Sequence, residues 1–88
     1  MASFSVIFKP SVEKDLRALP PSVIARVLTR IEALRDEPFP RQSIKLAGAE
    51  QLYRLRIGAY RVIYSVDKDA RQVVVHHVRH RRDVYRKL

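Results

Sequence analysis

Phe4, Val6 and Phe8 alternate with Ser5, Ile7 and Lys9, the period-two pattern of a strand with one well-buried face. Pro10 and Ser11 then mark a helix start, since proline suits the first turn and serine is a good N-cap. Val12, Leu16 and Leu19 fall on one side of that short helix. Pro20 and Pro21 end it and open a second helix, expected over about residues 22–36. Val23, Val27, Ile31 and Leu34 form its apolar stripe, widened by Ile24 and Leu28. Pro38 and Pro40 stop it, and an extended loop carries Arg41 and Gln42.

From there the period returns to two. Short or long strands are predicted over 44–46, 52–57, 60–66 and 71–78. Gly48-Ala49-Glu50, Gly58-Ala59 and residues 67–70 supply the turns between them. The polar, basic tail from His80 to Leu88 can form a final helical turn or stay loose. This order predicts a single α+β domain over residues 1–88. Its two N-terminal helices pack on one face of a mainly antiparallel, four- to five-stranded sheet.

Composition narrows the function classes. Eighty-eight residues suit one core and no more. The chain has no cysteine, so neither a disulfide framework nor a thiolate metal site is available. The N-terminus lacks the apolar run of a signal peptide, and no stretch approaches membrane-spanning length. A cytoplasmic protein without membrane contact is the expectation.

The charge is +9, and it is uneven. Residues 1–51 hold eight Lys or Arg against six Asp or Glu, whereas residues 52–88 hold ten against three. A cationic second half predicts a polyanion-docking surface there. Arginine dominates it, and the planar guanidinium can grip a phosphate through two hydrogen bonds.

Alternation sorts these arginines by face. Tyr53, Leu55 and Ile57 share one face of their strand, with Arg54 and Arg56 on the other. Val62, Tyr64 and Val66 oppose Arg61, Ile63 and Ser65. In the last strand Val74, His76 and Val78 oppose Val73, Val75, His77 and Arg79. With the helices on one side, Arg54, Arg56, Arg61 and Arg79 gather on the other, with His77 nearby. Strict alternation sends His76 to the core, away from His77. Asp67, Asp69 and Glu50 all fall in turns, away from the basic face, so a carboxylate two-metal nuclease is not expected. Suitably spaced ligands for a histidine metal site are also missing.

Four segments in this order resemble the RelE/ParE superfamily of bacterial and archaeal toxins. They are Lys45-Leu46-Ala47-Gly48, Tyr53-Arg54-Leu55-Arg56, Tyr60-Arg61-Val62-Ile63-Tyr64 and His80-Arg81-Arg82-Asp83-Val84-Tyr85. The likeness covers essentially the whole chain and is strongest to the RelE branch, whose members cleave mRNA in the ribosomal A site. It implies catalytic roles for Arg56, Arg61, Arg79 and Tyr85. Arg54, Lys45 and Arg81 would bind RNA phosphates, with Arg81 a rival to Arg79 for the last arginine role, and His77, placed beside the arginines by alternation, is expected to join them. The family often has lysines where Arg54 and Arg56 stand, and arginine hardly deprotonates, so the proton-transfer residue stays open.

The resemblance further implies a ribosome-dependent, metal-independent endoribonuclease without cofactors. RNA supplies its own nucleophile, the 2′-hydroxyl. Expected partners are a cognate antitoxin, the ribosome and mRNA, with operator DNA reached only through the toxin–antitoxin complex. Two alternatives stay open: a ParE-like gyrase inhibitor and a degenerate, non-catalytic RNA- or partner-binding module.

Overall fold

The computed structural model describes residues 4–46, 48 and 51–82. Strand β1 (Ser5–Phe8) leads into helices α1 (Pro10–Arg17) and α2 (Pro21–Ala33). Strands β2 (Ser43–Lys45), β3 (Leu52–Ile57), β4 (Tyr60–Asp67) and β5 (Gln72–His80) follow. They form one sheet in the order β1-β5-β4-β3-β2, with β1 parallel to β5 and every other pair antiparallel. The α+β reading and its five strands therefore hold. Among the described residues, no helix is long and apolar enough to cross a membrane.

Both helices begin at proline, as the sequence predicts, but neither has a side-chain N-cap. Lys9, not Ser11, is the N-cap of α1. The Ser11 hydroxyl is spent elsewhere: it donates to the His76 carbonyl of β5 at 3.0 Å. Helix α2 stops at Ala33, three residues short of the expected end, and turns through Leu34 toward Pro38.

The core lies between helices and sheet. Val12, Val27, Ile31 and Leu34 from the helical side meet Leu55, Ile57, Val62, Tyr64, Val66, Val73, Val75 and Val78 from the strands. Phe4 and Val6 pack against this cluster, but Phe8 remains 44% exposed, so β1 does not have the well-buried face its alternation predicts. As an edge strand paired only with β5, it lacks a second neighbour to cover it.

Strand β5 departs from strict alternation. Ile63 pairs with His77, yet the next residue, Tyr64, pairs with Val75. His76 is the extra residue of a β-bulge. Val73 and Val75 therefore share the core face with Val78, although the simple pattern splits them between two faces. His76 is not in the core. Its Nε2 lies 2.9 Å from the Oγ of Ser65, on the open face. Burial, then the charges of Lys9 and His77, hold its imidazole below the ordinary histidine value.

Tyr64 pins the sheet to the loop that follows α2. Its ring is fully buried and stacks on Tyr53, with centroids 5.7 Å apart. Its hydroxyl lies 2.8 Å from both the Pro38 carbonyl and the Ser43 hydroxyl. A carbonyl only accepts, so the phenol proton goes to Pro38 and Ser43 donates in turn. Burial pushes the phenol up to about 12 from its ordinary 10, against the opposing effect of the Ser43 hydrogen bond.

Replacing Tyr64 by Phe should lower the unfolding free energy by about 1–2 kcal/mol, read by urea denaturation, because two interior groups lose their partner. The raised phenol value gives a stability contribution intact below pH 10 and lost as pH rises toward 12. The Phe variant should show a weaker alkaline decline. For His76 the folded value is the lower one, so its contribution is present above pH 6.5 and lost as pH falls below it. His76→Gln should flatten that acid-side decline in thermal melting.

Candidate nucleic-acid interface

The open face of the sheet is built from residues that point away from the helices. Its defining feature is a row of three arginines on adjacent strands. Arg56 of β3 pairs with Arg61 of β4, and Arg61 pairs with Arg79 of β5. Adjacent strands lie about 4.8 Å apart, so the three Cα positions span about 10 Å. The next row runs from Ile44 through Arg54 and Ile63 to His77. Ile63 is buried although it lies on this face, flanked by Arg54 and His77.

The arginines differ in freedom. Arg56 is exposed. Arg61 folds back over the β3–β4 turn, where one terminal nitrogen donates to the carbonyls of Gly58 (2.8 Å) and Tyr60 (2.9 Å). Its buried Nε has no hydrogen-bond partner among the described residues. Gly58 closes the turn at φ +60°, a conformation that glycine adopts without strain. The guanidinium of Arg61 is thus held against the β3–β4 turn.

Arg79 meets a carboxylate from helix α1. Asp15 of α1 lies with Oδ1 3.6 Å from the Arg79 Nε and Oδ2 3.7 Å from the His77 Nδ1. The same Oδ2 accepts from the Val78 backbone N–H at 3.0 Å. Arg79 also approaches His77, with its terminal nitrogen 3.3 Å from Nδ1. Asp15 was missed because its partners stand more than sixty positions away, and its helix has the charge pattern of a solvated surface.

The other expected site residues divide. Arg54 and His77 join the arginine face in the second row. Arg81 is exposed beyond the end of β5, and its N–H donates to the Ala59 carbonyl at 2.8 Å. Arg79, not Arg81, therefore stands in register with Arg61. Lys45 does not share this face: it pairs with Tyr53, whose ring packs on Tyr64 on the helix side. Tyr85 lies outside the described residues.

Clefts flank the row at both ends. One, of about 600 Å³, runs between α1 and the end of β5 and is lined by Ser11, Asp15, Tyr60, Arg79 and His80 among others. The other, of about 400 Å³, is lined by Arg41, Gln42, Ile44, Arg54 and Arg56. Three like charges on neighbouring strands oppose one another, and Asp15 offsets only the last. The arrangement suits a chain of phosphates running across the strands.

Comparison with known proteins gives this surface a family. The model described as ParE toxin of type II toxin–antitoxin system, parDE, matches residues 6–85. The chain is 35% identical over 86 residues to the RelE1 protein of Methanocaldococcus jannaschii, covering 94% of this chain and 96% of that one. It is 33% identical over 91 residues to the toxin RelG of Mycobacterium tuberculosis, covering 96% and 98% respectively. The archaeal RelE–RelB complex from Pyrococcus horikoshii contains a chain that superposes with a TM-score of 0.80 at 36% identity, covering 90% of this chain and 96% of that one. The family model takes in both helices and all of the sheet except Ser5, and these three relatives all bear Rel names. This chain belongs to the RelE/ParE family of type II toxin–antitoxin toxins, on its RelE-like side.

Proposed function

We propose that this protein is a ribosome-dependent mRNA endonuclease, acting in the cytoplasm and neutralised by a cognate antitoxin. The observation that carries the reading is the Arg56–Arg61–Arg79 row. The RNA 2′-hydroxyl attacks the adjacent phosphorus, and the protein aligns that oxygen and stabilises the charge that develops. Arg61 and Arg79 clamp the scissile phosphate. Arg56 and Arg54 hold the flanking backbone or the leaving oxygen, and Arg81 contacts phosphate further out. Tyr85 completes the site by stacking on a base or orienting the 2′-hydroxyl. Lys45, on the opposite face, has no part in the reaction. The chemistry assigned to these residues requires no metal or cofactor.

The antitoxin is the second partner, and any operator DNA is reached through its complex. An apolar groove of about 260 Å³ between the end of β1 and the helices, lined by Phe8, Val12, Leu16 and Leu28 among others, suits an apolar segment of such a partner. Acidic residues in that segment would complement the +9 charge. The Pyrococcus horikoshii relative forms a complex with RelB.

Arg61→Ala and Arg79→Ala should each lower the cleavage rate about 100-fold or more and abolish growth arrest, while antitoxin binding persists. Mapping mRNA 5′ ends after induction, with translation running or blocked, reads this out. Full toxicity of both variants would overturn the site assignment. The ParE name of the matching family model favours one rival, a gyrase inhibitor. Blocked supercoiling with intact mRNA would establish that rival, and neither effect would leave a non-catalytic binding module. Separately, Arg56→Ala should weaken binding to single-stranded RNA and reduce the slope of log K against log salt by about 0.7. Its melting temperature should stay near wild type, because Arg56 is exposed.

A further inference from the structure

The arginine row can hold and polarise a phosphate but cannot move a proton, because guanidinium does not give one up in a protein. We propose that His77 is the proton-transfer residue of this site and that Asp15 is its positioning residue, an inference that rests on the ribonuclease reading above. The β5 bulge is the first support. It turns both His76 and His77 toward the open face, where unbroken alternation would separate them. His76 is committed to Ser65. His77 is half-buried, one row from Arg61 and beside Arg79.

The second support is the arrangement around its Nδ1. Arg79 lies 3.3 Å away and Asp15 3.7 Å away from the same nitrogen. Asp15 is itself fixed by the Val78 N–H, so the carboxylate is a rigid reference for the ring. The charged and titratable groups around His77 are Asp15 from α1, Arg79 and His76 from β5, and Arg54 across Ile63. Lys9 acts on His76 from the strand-to-helix junction.

In the free protein Nδ1 accepts from Arg79, because a guanidinium only donates. A phosphate that engages Arg79 releases Nδ1; the ring proton then exchanges through solvent from Nε2 to Nδ1, which donates to Asp15 and leaves the lone pair on Nε2. Nε2 then takes the 2′-hydroxyl proton. O2′ bonds to phosphorus, the bond from phosphorus to O5′ breaks, and O5′ leaves with the electron pair and takes a proton from solvent. The imidazolium, stabilised by Asp15, returns its proton to solvent. The products are a 2′,3′-cyclic phosphate and a 5′-hydroxyl.

Single-turnover cleavage of mRNA on programmed ribosomes, from about pH 5 to about 9, tests the assignment. His77→Gln should cleave about 100-fold more slowly with unchanged ribosome affinity, and the rise of rate along the acid limb should flatten. His77→Asn is the second variant, and thermal melting of both confirms folding. Asp15→Asn keeps an oxygen for the Val78 N–H but removes the charge. It should lose less rate than His77→Gln at unchanged ribosome affinity, and Asp15→Glu, which restores the charge, should recover part of that loss. A purely structural role would lower the rate alike at every pH. If the wild type cleaves, and Arg61→Ala abolishes cleavage, while His77→Gln stays within about threefold of wild type with its acid limb intact, this inference fails alone. No cleavage by the wild type overturns both readings.

Discussion

Arg56, Arg61 and Arg79 stand side by side only because two strand registers place them there, and those registers must hold against the repulsion they create. A slip of one residue in either pairing would send the shifted strand's arginine to the core face and its valines to solvent. A like-charged cross-strand pair opposes folding by up to about 1 kcal/mol. A buried valine or leucine favours it by roughly 1.5–3 kcal/mol. Leu55, Ile57, Val62, Val66, Val73, Val75 and Val78 all depend on the same registers, so burial wins with a wide margin. Tyr64 adds direction, since its hydroxyl reaches Pro38 and Ser43 only when β4 presents that face inward.

The uncovered edge of β5 explains why a helix contributes to a site otherwise made of strands. Strand β1 pairs with β5 only as far as Val75. Beyond it the edge would expose unpaired backbone groups. Helix α1 and the residue before it close that gap: the Lys9 N–H donates to the Val75 carbonyl, Ser11 to the His76 carbonyl, and Asp15 accepts from the Val78 N–H. Edge protection thus brings a carboxylate within 4 Å of Arg79 and His77.

Much of this is legible in the sequence because Leu55 and Ile57 of β3 and Val62, Tyr64 and Val66 of β4 are buried at alternate positions, with Ile63 the exception on the open face, so alternation identifies both faces and puts Arg54, Arg56 and Arg61 together. Strand β5 was harder. Its run of β-branched residues suits either face, and a bulge leaves no mark in composition. Alternation puts Arg79 and His77 correctly on the open face but assigns Val73, Val74, Val75 and His76 to the wrong one. Ser11 has the residue type of a cap but stands two positions past the N-cap, inside the helix. Lys45 came with the family motif, and only the pairing with Tyr53 reveals its face. Asp15 depends on a long-range contact that local patterning cannot express.

The bulge reconciles two demands on β5 that alternation cannot meet together. Counted back from Val78, alternation would leave Val75 and Val73 on the arginine face. Counted forward from Val73, it would carry Val75, His77 and Arg79 into the core. One extra residue between Val75 and His77 lets all three valines be buried while His77 and Arg79 remain outside. The same insertion turns His76 outward onto Ser65. The defect in the ladder is therefore what permits a packed valine core and a cationic surface to share one strand.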